Sequence, residues 1–211
     1  MFRKLKALGI ALVGVFAMSA MTASAAHAVT EFEGTADSTL NGVQINTHAF
    51  VLNKAHITCP SFTATGTLSE AKTKEITLTP TYKNCKVGSH PAIFDFTGCD
   101  YTFTASGEVH LECPTGEHVD IIGTEFGENI CTITVFGGSF LGSHYSNEFN
   151  FLTGKFDVRV FHSMTGIEYR EHPENGGNCG AGEGTNGEFG GEFTVTATNT
   201  AGGEKRDIKV N

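Results

Sequence analysis

Cys99-Asp100-Tyr101-Thr102-Phe103-Thr104-Ala105-Ser106-Gly107-Glu108-Val109-His110-Leu111-Glu112-Cys113 alternates apolar and polar side chains on both sides of a small-residue turn, the pattern of a β-hairpin. A three-residue loop, Ala105-Ser106-Gly107, with Gly107 in the left-handed position, sets Phe103 opposite Val109, Tyr101 opposite Leu111 and Cys99 opposite Cys113. Every apolar residue then lies on one face, while Asp100, Thr102, Thr104, Glu108, His110 and Glu112 lie on the other. A two-residue loop would set Val109 and Leu111 against threonines and mix the faces, so the three-residue register is the expected one. Both cysteines therefore point toward a core.

The same chemistry continues through the chain. From Val29 onward short runs rich in Thr, Val, Ile and Phe alternate between polar turns, and no helical stretch stands out. With 26 Gly and 5 Pro and no collagen period, this predicts an all-β protein, an antiparallel two-sheet sandwich of roughly a dozen strands. Expected strands include His56 to Cys59, Phe62 to Leu68, Glu75 to Tyr82, Val119 to Ile122 paired with Cys131 to Val135, and Tyr145 to Leu152 joined to Lys155 to His162 through Thr153-Gly154. A short strand from Gly166 to Arg170, a long one from Phe189 to Thr198 and a terminal one around Ile208 and Val210 complete the set. Pro80 marks an edge or bulge. Phe156, Val158 and Val160 are expected to face the core, with Asp157 and Arg159 turned away. The Ser69 to Glu75 run reads as a solvated loop.

The front of the chain is different. Arg3, Lys4 and Lys6 precede an apolar run from Leu8 to Phe16, and small residues follow, with cleavage sites after Ala25 or Ala28. This is the pattern of a secretory signal peptide, shorter than the roughly 20 residues of a spanning helix. Residues 1–28 are thus a predicted signal helix, and 29–211 a single β-sandwich domain that could hold two related β modules. No membrane span is expected in the mature chain. Removing the signal leaves 23 acidic against 11 basic residues, a net charge of −12. Such a surface favours solubility and disfavours nucleic acid and anionic lipid.

Six cysteines, Cys59, Cys85, Cys99, Cys113, Cys131 and Cys179, all follow the signal, an even number that reads as three disulfides in an exported chain. Zinc spacing is absent. An internal echo, His56-Ile57-Thr58-Cys59-Pro60-Ser61 with His110-Leu111-Glu112-Cys113-Pro114-Thr115, would by analogy pair Cys113 with Cys131 and Cys99 with Cys179. The hairpin register opposes this, and Cys113 and Cys131 would lie at opposite ends of the Val119–Val135 hairpin, beyond the roughly 7 Å reach of a bridge. The expected bridges are Cys59–Cys85, Cys99–Cys113 and Cys131–Cys179.

The signal segment, His56-Ile57-Thr58-Cys59, Thr77-Leu78-Thr79-Pro80-Thr81-Tyr82-Lys83-Asn84-Cys85 and Gly98-Cys99-Asp100-Tyr101 resemble an uncharacterised group of exported, cysteine-containing β-rich proteins of soil actinobacteria. Val109-His110-Leu111-Glu112-Cys113, Thr165-Gly166-Ile167-Glu168-Tyr169 and Gly184-Thr185-Asn186-Gly187 extend the likeness over most of the mature chain. These motifs are short. The resemblance implies export and a disulfide-bonded β fold, and it supplies no catalytic residue.

Chemistry-bearing patterns are sparse. The histidines after the signal, His48, His56, His90, His110, His118, His144, His162 and His172, form no His-x-His or His-Glu-x-x-His motif. His110 and Glu112 share an exposed face near Glu117 and His118, a surface metal site weighed against solvated strand residues and set aside. There is no Gly-x-Ser-x-Gly elbow, and no Trp for sugar stacking. The loop from Glu171 to Gly187 carries oxygens that could hold Ca²⁺ but lacks EF-hand spacing; a loop tethered at Cys179 is the expected form. No catalytic residue, cofactor or metal is assigned. The expected protein is a secreted structural or interaction protein of the extracellular space or cell envelope, with no concave polar pocket. A glycan- or Ca²⁺-binding module is the alternative, and a secreted hydrolase ranks third.

Overall fold

The computed structural model describes residues 31–201 and 203–211, so the expected signal peptide lies outside the described residues. These residues form an all-β structure: β1 (Phe32–Gly34), β2 (Ser38–Leu52), β3 (Ala55–Cys59), β4 (Ser61–Leu68), β5 (Lys72–Thr73), β6 (Glu75–Lys83), β7 (Cys85–Val87), β8 (His90–Asp95) and β9 (Asp100–Thr104) make up the first half. The second half comprises β10 (Glu108–Glu112), β11 (Val119–Glu125), β12 (Glu128–Val135), β13 (Gly138–Leu141), β14 (Ser143–Asn150), β15 (Lys155–Pro173), β16 (Glu183–Asn199), β17 (Lys205–Arg206) and β18 (Ile208–Val210). No helix long and apolar enough to cross a membrane occurs among the described residues.

The main sheet does not divide into the two stacked sheets expected of a sandwich. It closes on itself: β2, β3, β7, β8, β11, β12, β15 and β16 pair in that order, and β16 returns to β2 to complete an eight-strand ring. Closure leaves the ring without open edges, the physical gain of a barrel over a sandwich. From β2 a wing of further strands, β4, β6, β9, β10 and β13, extends in sequence, while β14 pairs with β15. A small separate sheet joins β18, β1 and β5.

Three long strands tie ring and wing together. The front half of β2 pairs with β4 as far as Val43 opposite Thr63, and its rear half pairs with β3 from His48 opposite Cys59. Likewise β15 pairs with β14 as far as His162 opposite Ser143, then with β12 from Tyr169 opposite Val135. Between them β16 runs the full length and contacts both. β15 is one 19-residue strand. The separate Gly166–Arg170 strand is a misreading of a bulge, because the register shifts on both sides of Ile167 and Gly166 takes φ 79°.

The opening hairpin forms in the three-residue register, with Val109 opposite Phe103 and Leu111 opposite Tyr101. Gly107 sits at φ 95° and donates its N–H to Thr104 O at 3.0 Å. Cys99 is bridged to Cys113, with α-carbons 4.2 Å apart. Cys59–Cys85 clips β3 to the start of its ring neighbour β7, and Cys131–Cys179 ties β12 to the loop before β16. Pro80 lies opposite Ala64 of β4 and past Leu78, the last β6 residue paired with β9. Its missing N–H thus falls where β6 has no second partner strand. Asp157, expected to face water, is buried and held by Lys205 at 2.8 Å.

Ring and wing share one contiguous buried cluster. Its centre is aromatic: Phe50 stacks on Phe189 with ring centroids 3.9 Å apart, and Phe62, Tyr82, Phe94, Tyr101, Phe103 and Phe193 pack around them. These rings come from alternate positions of the strands, so the period-2 pattern of the sequence is what delivers them inward.

Candidate functional site

Two of the rings in this aromatic centre are histidines. On β2 the inward positions are Leu40, His48, Phe50 and Leu52, and on β15 they are Val158, Val160, His162 and Met164, so strand alternation alone carries both imidazoles inside. They meet edge to face with centroids 5.0 Å apart. His48 stacks on Phe62 at 4.4 Å, and His162 lies 4.5 Å from Phe189. The two sit where β2 and β15 change partners, with β16 between them.

β16 is thinned at that level by Gly190-Gly191. Gly191 pairs with His162 across the β15 ladder, and a Cβ there would lie 2.7 Å from His48 Cγ and 2.8 Å from Nε2. Any larger residue would collide with the His48 ring. The β2–β16 register shifts on both sides of Glu192, opening the ladder beside these glycines.

Over this opening lies a cleft of about 470 Å³. Phe161, Ala49 and Val51 give its apolar walls, while His144, Glu188 and Ser163 are among the polar groups at its rim. His162, Phe189 and Gly191 also line it, as largely buried residues. Its size falls within the range of small-molecule sites. Glu192 at one side is buried and fully engaged: it accepts from Asn46 Nδ2 at 2.9 Å and from Arg159 Nε, and Arg159 also holds Glu148 at 3.0 Å.

The histidine pair is electrostatically unusual. Neither ring nitrogen of His162 has a hydrogen-bond partner among the described residues, and His48 has only a weak one in the Glu192 main chain. Burial pushes the His48 imidazole down to about 4, the nearby Glu192 main chain pulling slightly the other way. Burial, and then the charge His48 would carry, push His162 down to about 3. Both rings are therefore neutral at pH 7, each with a free lone pair and one N–H. A buried polar group without a partner costs stability and is unusual enough to mark a place where a partner belongs.

The residues singled out from sequence do not converge here. His110 Nδ1 meets Ser139 Oγ at 2.7 Å and Glu112 accepts from Thr102 at 3.1 Å, so each is taken up by a sheet neighbour. His118 lies 3.4 Å from Asp120, and His90 lies 3.8 Å from Glu125. In the Glu171–Gly187 segment the carboxylate of Glu171 accepts backbone N–H groups from Cys179, Gly180 and Gly182, which makes it the organiser of the loop. It also lies among Cys131 and Cys179, but both sulfurs are spent in the disulfide and offer no thiolate to a metal. The six cysteines are all bridged. His48 and His162 belong to no motif in the sequence; each continues an apolar alternation by one step, and that phase is the signal that marks them as inward-facing.

No protein-family model matches the chain, and neither a curated protein nor a solved structure is similar to it.

Proposed function

We propose that this chain is an exported, disulfide-stapled binding protein that takes a small ligand in the cleft above Gly190-Gly191. The observation carrying this reading is the neutral, unpartnered imidazole of His162 lining a cleft of about 470 Å³, with the His48 ring packed behind it, at the point where both flanking strands change partners. Three disulfides fit an oxidising, extracellular setting, and the signal-like start of the chain agrees with it. The expectation that such a protein would lack a concave polar pocket gives way to a ligand-binding role.

The lining indicates the ligand's chemistry. Phe161, Ala49 and Val51 suit an apolar or aromatic body, and a neutral imidazole suits a hydroxyl or amine head group that can donate to its lone pair. Glu188 at the rim favours a neutral or cationic ligand over an anion, the Glu192 charge being already met by Arg159. Phenol, benzylamine and benzoate form a minimal test set in titration calorimetry. Binding of phenol or benzylamine, absent for benzoate and absent in His162→Leu, supports the reading; no heat from any of the three in the wild-type chain overturns it.

A further inference from the structure

The hairpin of β14 and β15 ends in an apolar tip. Phe151 is 89% exposed, Leu152 98% and Phe149 43%. Phe149 packs edge to face against both Phe151, at 5.1 Å, and Phe156, at 5.0 Å, so the tip is one continuous apolar cap. It is not a slack loop. Asn150 Oδ1 accepts the N–H of Leu152 at 3.1 Å and of Thr153 at 3.3 Å, and Asn150 O accepts the N–H of Gly154 at 2.8 Å. The turn is held by the side chain and carbonyl of Asn150 in a shape that presents Phe151 and Leu152 to water.

The base of the tip gathers lysines, two of them paired with aspartates. Lys209 Nζ stands 4.1 Å from the centre of the Phe156 ring, and Lys155 lies 3.5 Å from Asp207. Lys205 and Arg206 follow on β17, which pairs with the same end of β16. Lys155, Lys205, Arg206 and Lys209, beside Asp157, Glu204 and Asp207, are four of the 11 basic residues beyond residue 28, in a segment set of balanced charge on an otherwise acidic chain.

We propose that this tip inserts into the surface of a lipid bilayer, with Phe151 and Leu152 among the acyl chains and Lys155 and Lys209 at the headgroup phosphates. Apolar side chains at a loop apex, with cations one step behind them, match the layering of a bilayer interface, apolar inside and phosphate outside. The tip is too small for a second copy: two large side chains and part of a third offer roughly 400–500 Å², against about 800 Å² per partner in a stable protein interface. The acidic remainder of the molecule is screened beyond about 8 Å at physiological salt, so it does not prevent contact at the tip.

The test is flotation of the exported chain with vesicles of phosphatidylcholine, and of equal parts phosphatidylcholine and phosphatidylglycerol, at physiological salt. The wild-type chain is expected to float with both and more strongly with the second. Phe151→Ser with Leu152→Ser is expected to weaken binding about tenfold or more while leaving the melting temperature unchanged, because both residues are exposed. Lys155→Gln with Lys209→Gln is expected to remove the preference for phosphatidylglycerol. Absence of flotation with both vesicles overturns the proposal, as does unchanged flotation of the serine variant. So does self-association of the wild-type chain, lost in the serine variant, without vesicle binding.

Discussion

Acidification should weaken this fold well above the carboxylate range, and the two buried histidines set the size of the effect. In an unfolded chain each imidazole titrates near 6.5, whereas in the fold His48 is pushed down to about 4 and His162 to about 3. Both folded values lie below the unfolded one, so above pH 6.5 neither group affects stability. As the pH falls from 6.5 the unfolded chain takes up protons that the folded chain refuses, and stability is lost until the folded values are reached. Between about pH 6.5 and 4.5 each histidine costs about 2 pH units at ~1.4 kcal/mol per unit, or ~2.7 kcal/mol, and the pair ~5 kcal/mol. That is a large part of the 5–15 kcal/mol typical of a domain. Urea unfolding followed by circular dichroism at about pH 7.5, 6 and 4.5 reads it directly. His162→Leu replaces an unpartnered polar ring by an apolar one of similar size, so it is expected to be near neutral at pH 7.5 and to lose only about half as much on acidification. Asp95, whose carboxyl the Thr97 hydroxyl and N–H hold below its ordinary range, loses its contribution only at lower pH. Equal urea midpoints at pH 7.5 and 4.5 in the wild-type chain, or an equal loss in the variant, would refute the reasoning.

Two further perturbations follow from the packing. Replacing Cys99 and Cys113 together by serine opens a loop of 14-residue separation and should cost about 3 kcal/mol, seen as a lower melting temperature by calorimetry; an unchanged value would show that the clasp adds nothing to the hairpin it closes. Gly191→Ala places a Cβ 2.7 Å from His48 Cγ and should destabilise the fold by about 1–3 kcal/mol through overpacking, whereas Gly154→Ala, with no atom within 4 Å of its Cβ, should show only the smaller cost of its positive φ.

Local pattern was legible and long-range closure was not. The Cys99–Cys113 hairpin could be read because alternation and turn chemistry agree within fifteen residues, and a one-residue slip would have exposed Val109 and Leu111. The ring closes through β2 against β16, whose paired residues lie 137 to 161 positions apart, from Val51 with Glu188 to Ser38 with Asn199. Nothing local encodes which distant strand supplies that pairing, so a sandwich and a closed ring look alike in sequence. The start of β16, Glu183 to Gly187, is glycine-rich and reads as loop, yet it is strand, and Gly187 leaves beside it the room that Leu52 and Ile167 occupy. Asp157 looked outward because its partner, Lys205, belongs to a strand at the other end of the chain. The candidate site divides in the same way. His48 and His162 were legible one at a time, as polar members of inward-facing series. Their meeting at 5.0 Å depends on two strands that are each paired with β16 rather than with one another.

The most direct test of the cleft as a binding site is the long-range ¹H–¹⁵N spectrum of the imidazole side chains at neutral pH, recorded with and without phenol. The cleft account predicts that His48 and His162 show the nitrogen shifts of neutral rings, and that phenol moves the His162 lone-pair nitrogen in a saturable way while His56, His118 and His172 stay in place. Spectra in which saturating phenol leaves His162 unmoved, or moves all the histidines alike, would contradict it.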